Sequence, residues 1–180
     1  MSSRIVLLGL PGAGKGTVGL RLAENLGLTF ISLGDEVRRL AKEDSPVGRN
    51  IRSHWESSNG WRPLPDSLAI VLANECLGGV SGWVLDGFPR NVLQAESLPV
   101  TDLIVHLLVS EETSTQRVLG RGREGDGLEK LLARLEAERE RLLPLLEYCR
   151  QRWPVIDIDA NPSQEAVWQA LWKEVRKWKN

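Results

Sequence analysis

The chain has 180 residues, 42% of them hydrophobic, enough for one well-buried core with small inserts. Its 23 basic and 24 acidic residues leave a net charge of −1, which excludes the basic excess a nucleic-acid surface needs. No apolar run reaches membrane-spanning length, the N-terminus is not signal-like, and Cys76, Cys149, His54 and His106 lack zinc-ligand spacing, so a reducing, cytoplasmic setting is expected.

RIVLLG (4–9) reads as a short buried strand, followed by a glycine turn and a helix through about Leu26. TFIS (29–32) reads as a second strand. ISLGDEVRR (31–39) then opens a helix over roughly 34–42, with Asp35 expected to cap it by accepting from first-turn N–H groups. Further helical patterns cover 46–57 and 66–77, bounded by Pro46 and by SNGWRPLP (58–65). WVLD (83–86), DLIVHLLV (102–109) and PVIDI (154–158) complete five strands, with helices over about 111–119, 127–151 and 163–178. In the last helix Trp168, Trp172 and Trp178 recur at helical spacing with Val167, Leu171 and Val175, as packing residues do. There is no repeat, low-complexity tract or linker. Strands alternating with helices predict an α/β fold of parallel βαβ units, a doubly wound sheet that binds ligands at the carboxyl ends of its strands.

The strongest local pattern is GLPGAGKGT (9–17), a strand leading through G-x-x-x-x-G-K into a helix. Gly9, Gly12 and Gly14 let backbone N–H groups turn inward around phosphate oxygens, the helix N-terminus adds its positive dipole end, and Lys15 supplies a point charge. The position after the lysine, often Ser or Thr, is Gly16, with Thr17 next. A nucleoside triphosphate is the expected ligand. In WVLDGFPRN (83–91), Asp86 ends an apolar strand where a phosphate-loop protein keeps the acid that organises Mg²⁺. Gly87 allows close backbone approach, and Pro89 stiffens the turn that aims Arg90.

GLPGAGKGT, ISLGDEVRR, LDGFPRNVLQ and RVLGRGREGD (117–126), in that order and spacing, resemble adenylate kinase and its nucleoside-monophosphate-kinase relatives over essentially the whole chain. The resemblance implies a P-loop three-layer α/β/α fold on a five-stranded parallel sheet. It implies reversible transfer of the γ-phosphoryl group of Mg-ATP to a nucleoside monophosphate, AMP foremost. It divides a single kinase domain into a core (1–31, 66–119, 127–180), a monophosphate-binding insert (32–65) and a minimal lid (120–126). The expected partners are ATP and the monophosphate, not nucleic acid or membrane, and the expected state is a cytoplasmic monomer using Mg²⁺ and no zinc.

The chemistry suits these residues. A phosphate acceptor is already ionised near neutral pH, so no general base is needed. The difficulty lies in bringing two polyanions together, which calls for arginines and Mg²⁺. By resemblance, Gly12, Ala13, Gly14, Lys15, Gly16 and Thr17 hold the ATP phosphates, Arg117 stacks on the ATP adenine, and Asn161 and Pro162 line that base. Arg121 contacts ATP phosphates. Arg38 and Arg90 hold the acceptor phosphate, while Leu33, Gly34, Arg62, Pro63, Leu64, Gly87 and Phe88 line the acceptor site and Gln94 reads the adenine edge. Arg123 and Arg134 close over the transferring group, with Asp126 beside them, and Mg²⁺ is expected at Asp86 and Thr17 through water. Catalysis is thereby assigned to Lys15, Arg90, Arg121, Arg123, Arg134 and Asp126. Arg39, and Arg139 and Arg141 in RLEAERERLL (134–143), read as surface charges.

Three departures from the family pattern carry expectations. The lid is very short, Arg121-Gly122-Arg123 followed by Gly125-Asp126, which predicts weaker suppression of ATP hydrolysis or compensation from another element. The 45–65 segment is longer than usual and places Trp55 and Trp61 near the acceptor site, as caps on a small insert core. Leu33 stands where AMP-specific members carry Thr. That leaves a CMP/UMP-type kinase as an alternative to an AMP kinase, against which Gln94 weighs, since an amide suits the N6 donor and N1 acceptor of adenine. A nucleotide-binding regulatory protein is the alternative from another class, and the set of transfer arginines weighs against it. A kinase of small hydroxylated metabolites would want a base at the acceptor.

Overall fold

The structure, a computed structural model, describes residues 3–57, 63–120 and 128–179, without the side chains of 128–131 and 134. Five strands, β1 (Arg4–Leu8), β2 (Thr29–Ser32), β3 (Trp83–Asp86), β4 (Leu103–Leu108) and β5 (Val155–Asp159), form one parallel sheet in the order β2-β3-β1-β4-β5. Eight helices among the described residues connect and cover them: α1 (Lys15–Leu26), α2 (Leu33–Leu40), α3 (Pro46–Ser57), α4 (Asp66–Leu77), α5 (Val92–Glu96), α6 (Glu111–Leu119), α7 (Leu128–Arg150) and α8 (Gln164–Lys179).

The period of two along each strand divides the core into two layers. Ile5, Leu7, Val84, Val105 and Leu107 pack with Val18 and Leu22 of α1 and Trp168 and Leu171 of α8. Val6, Leu8, Leu85 and Ile104 face the other way, onto α2–α4 and Leu145, Leu146 and Cys149 of α7. Burying each such Leu or Ile stabilises the fold by roughly 1.5–3 kcal/mol, and both faces of the sheet are covered, as near-continuous apolar strands require. Trp168 is buried and stacks on Trp172, with ring centroids 5.4 Å apart, and Trp172 and Trp178 pack against the same layer. Trp55 packs, partly buried, against the opposite layer.

The strand boundaries fall within one residue of the sequence reading. β1 stops at Leu8 because Gly9 takes φ +143 and leaves the ladder. Two local readings need correction. Asp35 does not cap α2: the helix opens earlier, at Leu33, whose side chain is buried, and the Ser32 hydroxyl accepts from the Asp35 N–H at 3.3 Å. The helix α5 was not anticipated, and it is a five-residue segment whose first turn is held by the Asn91 side chain accepting from the Gln94 N–H. No helix among the described residues is long and apolar enough to cross a membrane.

Candidate active site

The order of strands puts β1 at the centre, between β3 and β4, so the loop after Leu8 emerges where the connections diverge to opposite edges of the sheet. The chain must pass close to its neighbours there. A Cβ on Gly9 would lie 2.5 Å from the Leu107 carbonyl oxygen, and one on Gly12, at φ +82, would lie 2.8 Å from that of Ser114. The Ser114 hydroxyl, fully buried on α6, donates to the Pro11 carbonyl at 2.5 Å and fastens the loop. The N-cap of α1 is Gly14, which offers no side chain to the first turn. The amides of that turn are therefore left to a ligand, with the positive end of the helix dipole behind them. Lys15 donates to the loop carbonyls of Gly9 at 2.8 Å and Leu10 at 3.1 Å.

Lys15, Gly16, Thr17, Arg38, Asp86 and Arg90 line one cleft of about 340 Å³. Asp86 reaches it from the end of β3. Its Oδ1 is the one buried side-chain oxygen or nitrogen among the described residues without a hydrogen-bond partner, and its Oδ2 lies 3.9 Å from where a Gly16 Cβ would be. A buried carboxylate oxygen in that condition is costly unless something supplies donors or positive charge.

On the far side of the cleft, Gly87 (φ +86) passes so close to α2 that a Cβ would lie 3.2 Å from the Gly34 nitrogen. The next peptide but one, Phe88–Pro89, is cis, and Phe88 is buried. Arg90 then turns back: its Nε donates to the Gly87 carbonyl at 3.0 Å, and its Nη1 lies 3.2 Å from Glu138 Oε1 on α7. Arg38 opposes it from α2, paired at 2.5 Å with Asp35 across one turn. Arg39 points away, ion-paired with Glu36 and Glu43 on the exposed face, and its hydrogen bond holds the Glu36 carboxyl below the usual carboxylate range. Arg139 is likewise on the surface, but its partner is Glu111 of α6 rather than a residue of its own helix.

Arg117 sits at the other end of the loop. Its guanidinium donates to the carbonyls of Ala160 at 2.7 Å and of Asn161 and Pro162 at 3.0 Å, and reaches Gly12 at 3.4 Å. The residues expected around one base are therefore in contact. The Asn161 N–H and side-chain amide both donate to Asp159, holding that carboxyl below its usual range.

Gln94, expected to read the acceptor base, is buried behind Arg90. Its Oε1 accepts from the Arg90 N–H at 2.8 Å and its Nε2 donates to Asp66 Oδ1 at 2.7 Å, where Asn91 Nδ2 also donates at 2.9 Å. Leu33 is buried in the core layer, Leu64 packs against it, and the Pro63 carbonyl accepts from His54 Nε2 at 2.9 Å. Arg62, Trp61, Arg121, Arg123, Asp126 and the side chain of Arg134 lie outside the described residues, as do the other residues of the expected lid after Gly120.

Sequence reading missed Ser114, Asp66 and Glu138. Ser114 and Asp66 are polar residues at helical positions with no motif around them. Glu138 lies in an acid- and arginine-rich helix where one more charge resembles a solvated face.

A family model described as adenylate kinase matches residues 7–153 of the chain. An adenylate kinase of Oenococcus oeni is 35% identical, covering 97% of this chain and 98% of its own length. Adenylate kinase 1 of a Nostoc species is 38% identical over 94% of this chain and 96% of its own, and an adenylate kinase of Mycobacterium tuberculosis is 35% identical over 86% and 90%.

Proposed function

The chain belongs to the adenylate kinase family and is a nucleoside monophosphate kinase, and we propose that its cleft carries out reversible transfer of the γ-phosphoryl group of Mg-ATP to AMP, giving two ADP, in the following way. The observation that supports this division of labour is the convergence of the phosphate loop, Asp86, Arg38 and Arg90 on one cleft.

ATP phosphates take the uncapped first turn of α1, and Lys15 exchanges the loop carbonyls for phosphate oxygens. The adenine of ATP lies over Arg117, beside the Asn161–Pro162 backbone, where the guanidinium is already held flat by three carbonyls. Arg38 and Arg90 take the acceptor phosphate from opposite sides. Because that phosphate is ionised, these residues orient and neutralise rather than move a proton, and the rate comes from positioning and charge stabilisation.

Magnesium fits the residues present. Asp86 Oδ1 is buried with no partner among the described residues, and Thr17 lines the same cleft from the first turn of α1. These two would hold the ion through its water shell; when bound, it supplies charge neutralisation between phosphate oxygens.

The adenine of AMP is recognised by Gln94. One lone pair of its carbonyl and one amide hydrogen are engaged within the protein, leaving one acceptor and one donor site, the pair that adenine's N6 and N1 require. We take 32–65 as the acceptor-binding insert and 120–126 as the lid, and assign Arg121, Arg123, Asp126 and Arg134 to closure over the transferring group on the strength of the family pattern. The unpaired thiols of Cys76 and Cys149 suit a reducing cytoplasm.

Stoichiometry tests the reading. Incubation with ATP and AMP should consume the two in equal amounts and yield two ADP per ATP. ATP loss with AMP untouched would instead describe a hydrolase.

A further inference from the structure

The cleft contains an acid for which phosphoryl transfer has no evident need. Glu138 projects from α7 into the lining of the cleft, and its side chain is only 16% exposed. Its Oε1 faces Arg90 Nη1 at 3.2 Å, and Arg90 itself is 27% exposed. Arg139, the next residue, is committed to Glu111 on the outer surface. A carboxylate held against Arg90 opposes the binding of a phosphate at that arginine. Such an arrangement needs a reason beyond surface solubility.

We infer that Glu138 is a positioning residue of the acceptor subsite that stands in for the acceptor phosphate on Arg90 and yields to it, so that acceptor affinity is set by competition between the two anions. The inference rests on the reading of Arg90 as an acceptor-phosphate arginine. The Gly87 carbonyl holds Nε and Glu138 engages Nη1, so the guanidinium fork keeps its place over the cleft. A phosphate, with more charge and the geometry for two parallel N–H···O bonds, displaces the single contact that Glu138 makes. The displaced carboxylate then remains close enough to repel the bound phosphate. ATP, engaged by the first turn of α1 and by Lys15, does not compete with Glu138 for Arg90. The carboxylate therefore weakens AMP binding selectively.

Glu138→Gln separates charge from structure, because the amide still accepts from Arg90 and fills the same space. Steady-state kinetics with AMP varied at saturating ATP, and the reverse, should give a KM for AMP three- to tenfold lower than in the parent, with the KM for ATP unchanged and kcat within about twofold. Glu138→Ala should lower the KM for AMP as well, and Glu138→Asp, which keeps the charge, should leave it near the parent value. An unchanged or raised KM for AMP in both neutral variants would overturn the inference, as would an equal fall in the KM for ATP. A purely structural tie between α7 and the Arg90 turn would lower the melting temperature without that split. Failure of the underlying reading would look different: Arg90→Ala would keep its transfer rate.

Discussion

Gln94 and Asp66, 28 positions apart, are joined by a hydrogen bond of 2.7 Å that fixes which end of the Gln94 amide faces which neighbour. The carboxylate can only accept, so the NH₂ end must face Asp66. The Arg90 N–H can only donate, so the carbonyl end must face Arg90. Asp66→Ala removes one of the two partners of a buried amide and loosens its orientation. An unsatisfied buried donor costs about 1–3 kcal/mol. The KM for AMP should rise about 5- to 50-fold while the KM for ATP stays put, and a melting temperature lowered by a few degrees should accompany it.

On the proposed reading, in which the Arg90 side chain orients the acceptor and shares the developing charge, Arg90→Ala should reduce phosphoryl transfer on the order of 10³-fold. The Arg90 backbone N–H, which holds Gln94, survives the substitution, so ATP binding and the far-ultraviolet circular dichroism spectrum should be unchanged. Single-turnover rates at saturating nucleotide are the measurement to make. A variant that keeps most of its rate would remove Arg90 from the transfer step.

Acid stability should depend on a cluster away from the cleft. Asp157 on β5 accepts from both His106 on β4 and Arg150 on α7. Burial pushes its carboxyl up, but the hydrogen bonds from Arg150 and His106 outweigh that and hold it below its ordinary value of 3.8. A folded-state pKa below the unfolded one stabilises the fold above the unfolded value, and the contribution disappears as pH falls through the folded value. Asp157→Asn should therefore melt lower than the parent at pH 7, and the two melting curves should converge below about pH 4. A constant difference from pH 7 to pH 3 would count against this cluster.

How much of this was legible depended on how local the signal was. The phosphate loop is contiguous, and its glycines, lysine and helix start are read directly from residues 9–17. The strands are apolar runs bounded by glycine, proline or charge, which explains boundaries correct to within one residue. Arg117 with Asn161 and Pro162 was expected only through family likeness, because 44 positions separate Arg117 from Asn161. The Arg90–Glu138 pair, 48 positions apart, had no such guide: an acid in RLEAERERLL carries no periodicity that distinguishes a cleft-facing position from a solvated one. Asp66 and Ser114 were hidden for the same reason. The Asp35 cap failed differently. Local composition favoured the carboxylate, but burial of Leu33 draws the start of α2 back to that residue, with Ser32 as its cap.

Formation of ADP from ATP against AMP, CMP, UMP and GMP in turn, measured as initial rates, tests the account most directly. Gln94 held by Asp66, with Leu33 withdrawn into the core, predicts that AMP is turned over with a kcat/KM at least about tenfold above any other acceptor, one unmatched polar contact being worth roughly 1–3 kcal/mol. A preference for CMP or UMP, or turnover of no monophosphate while ATP still binds, would contradict it.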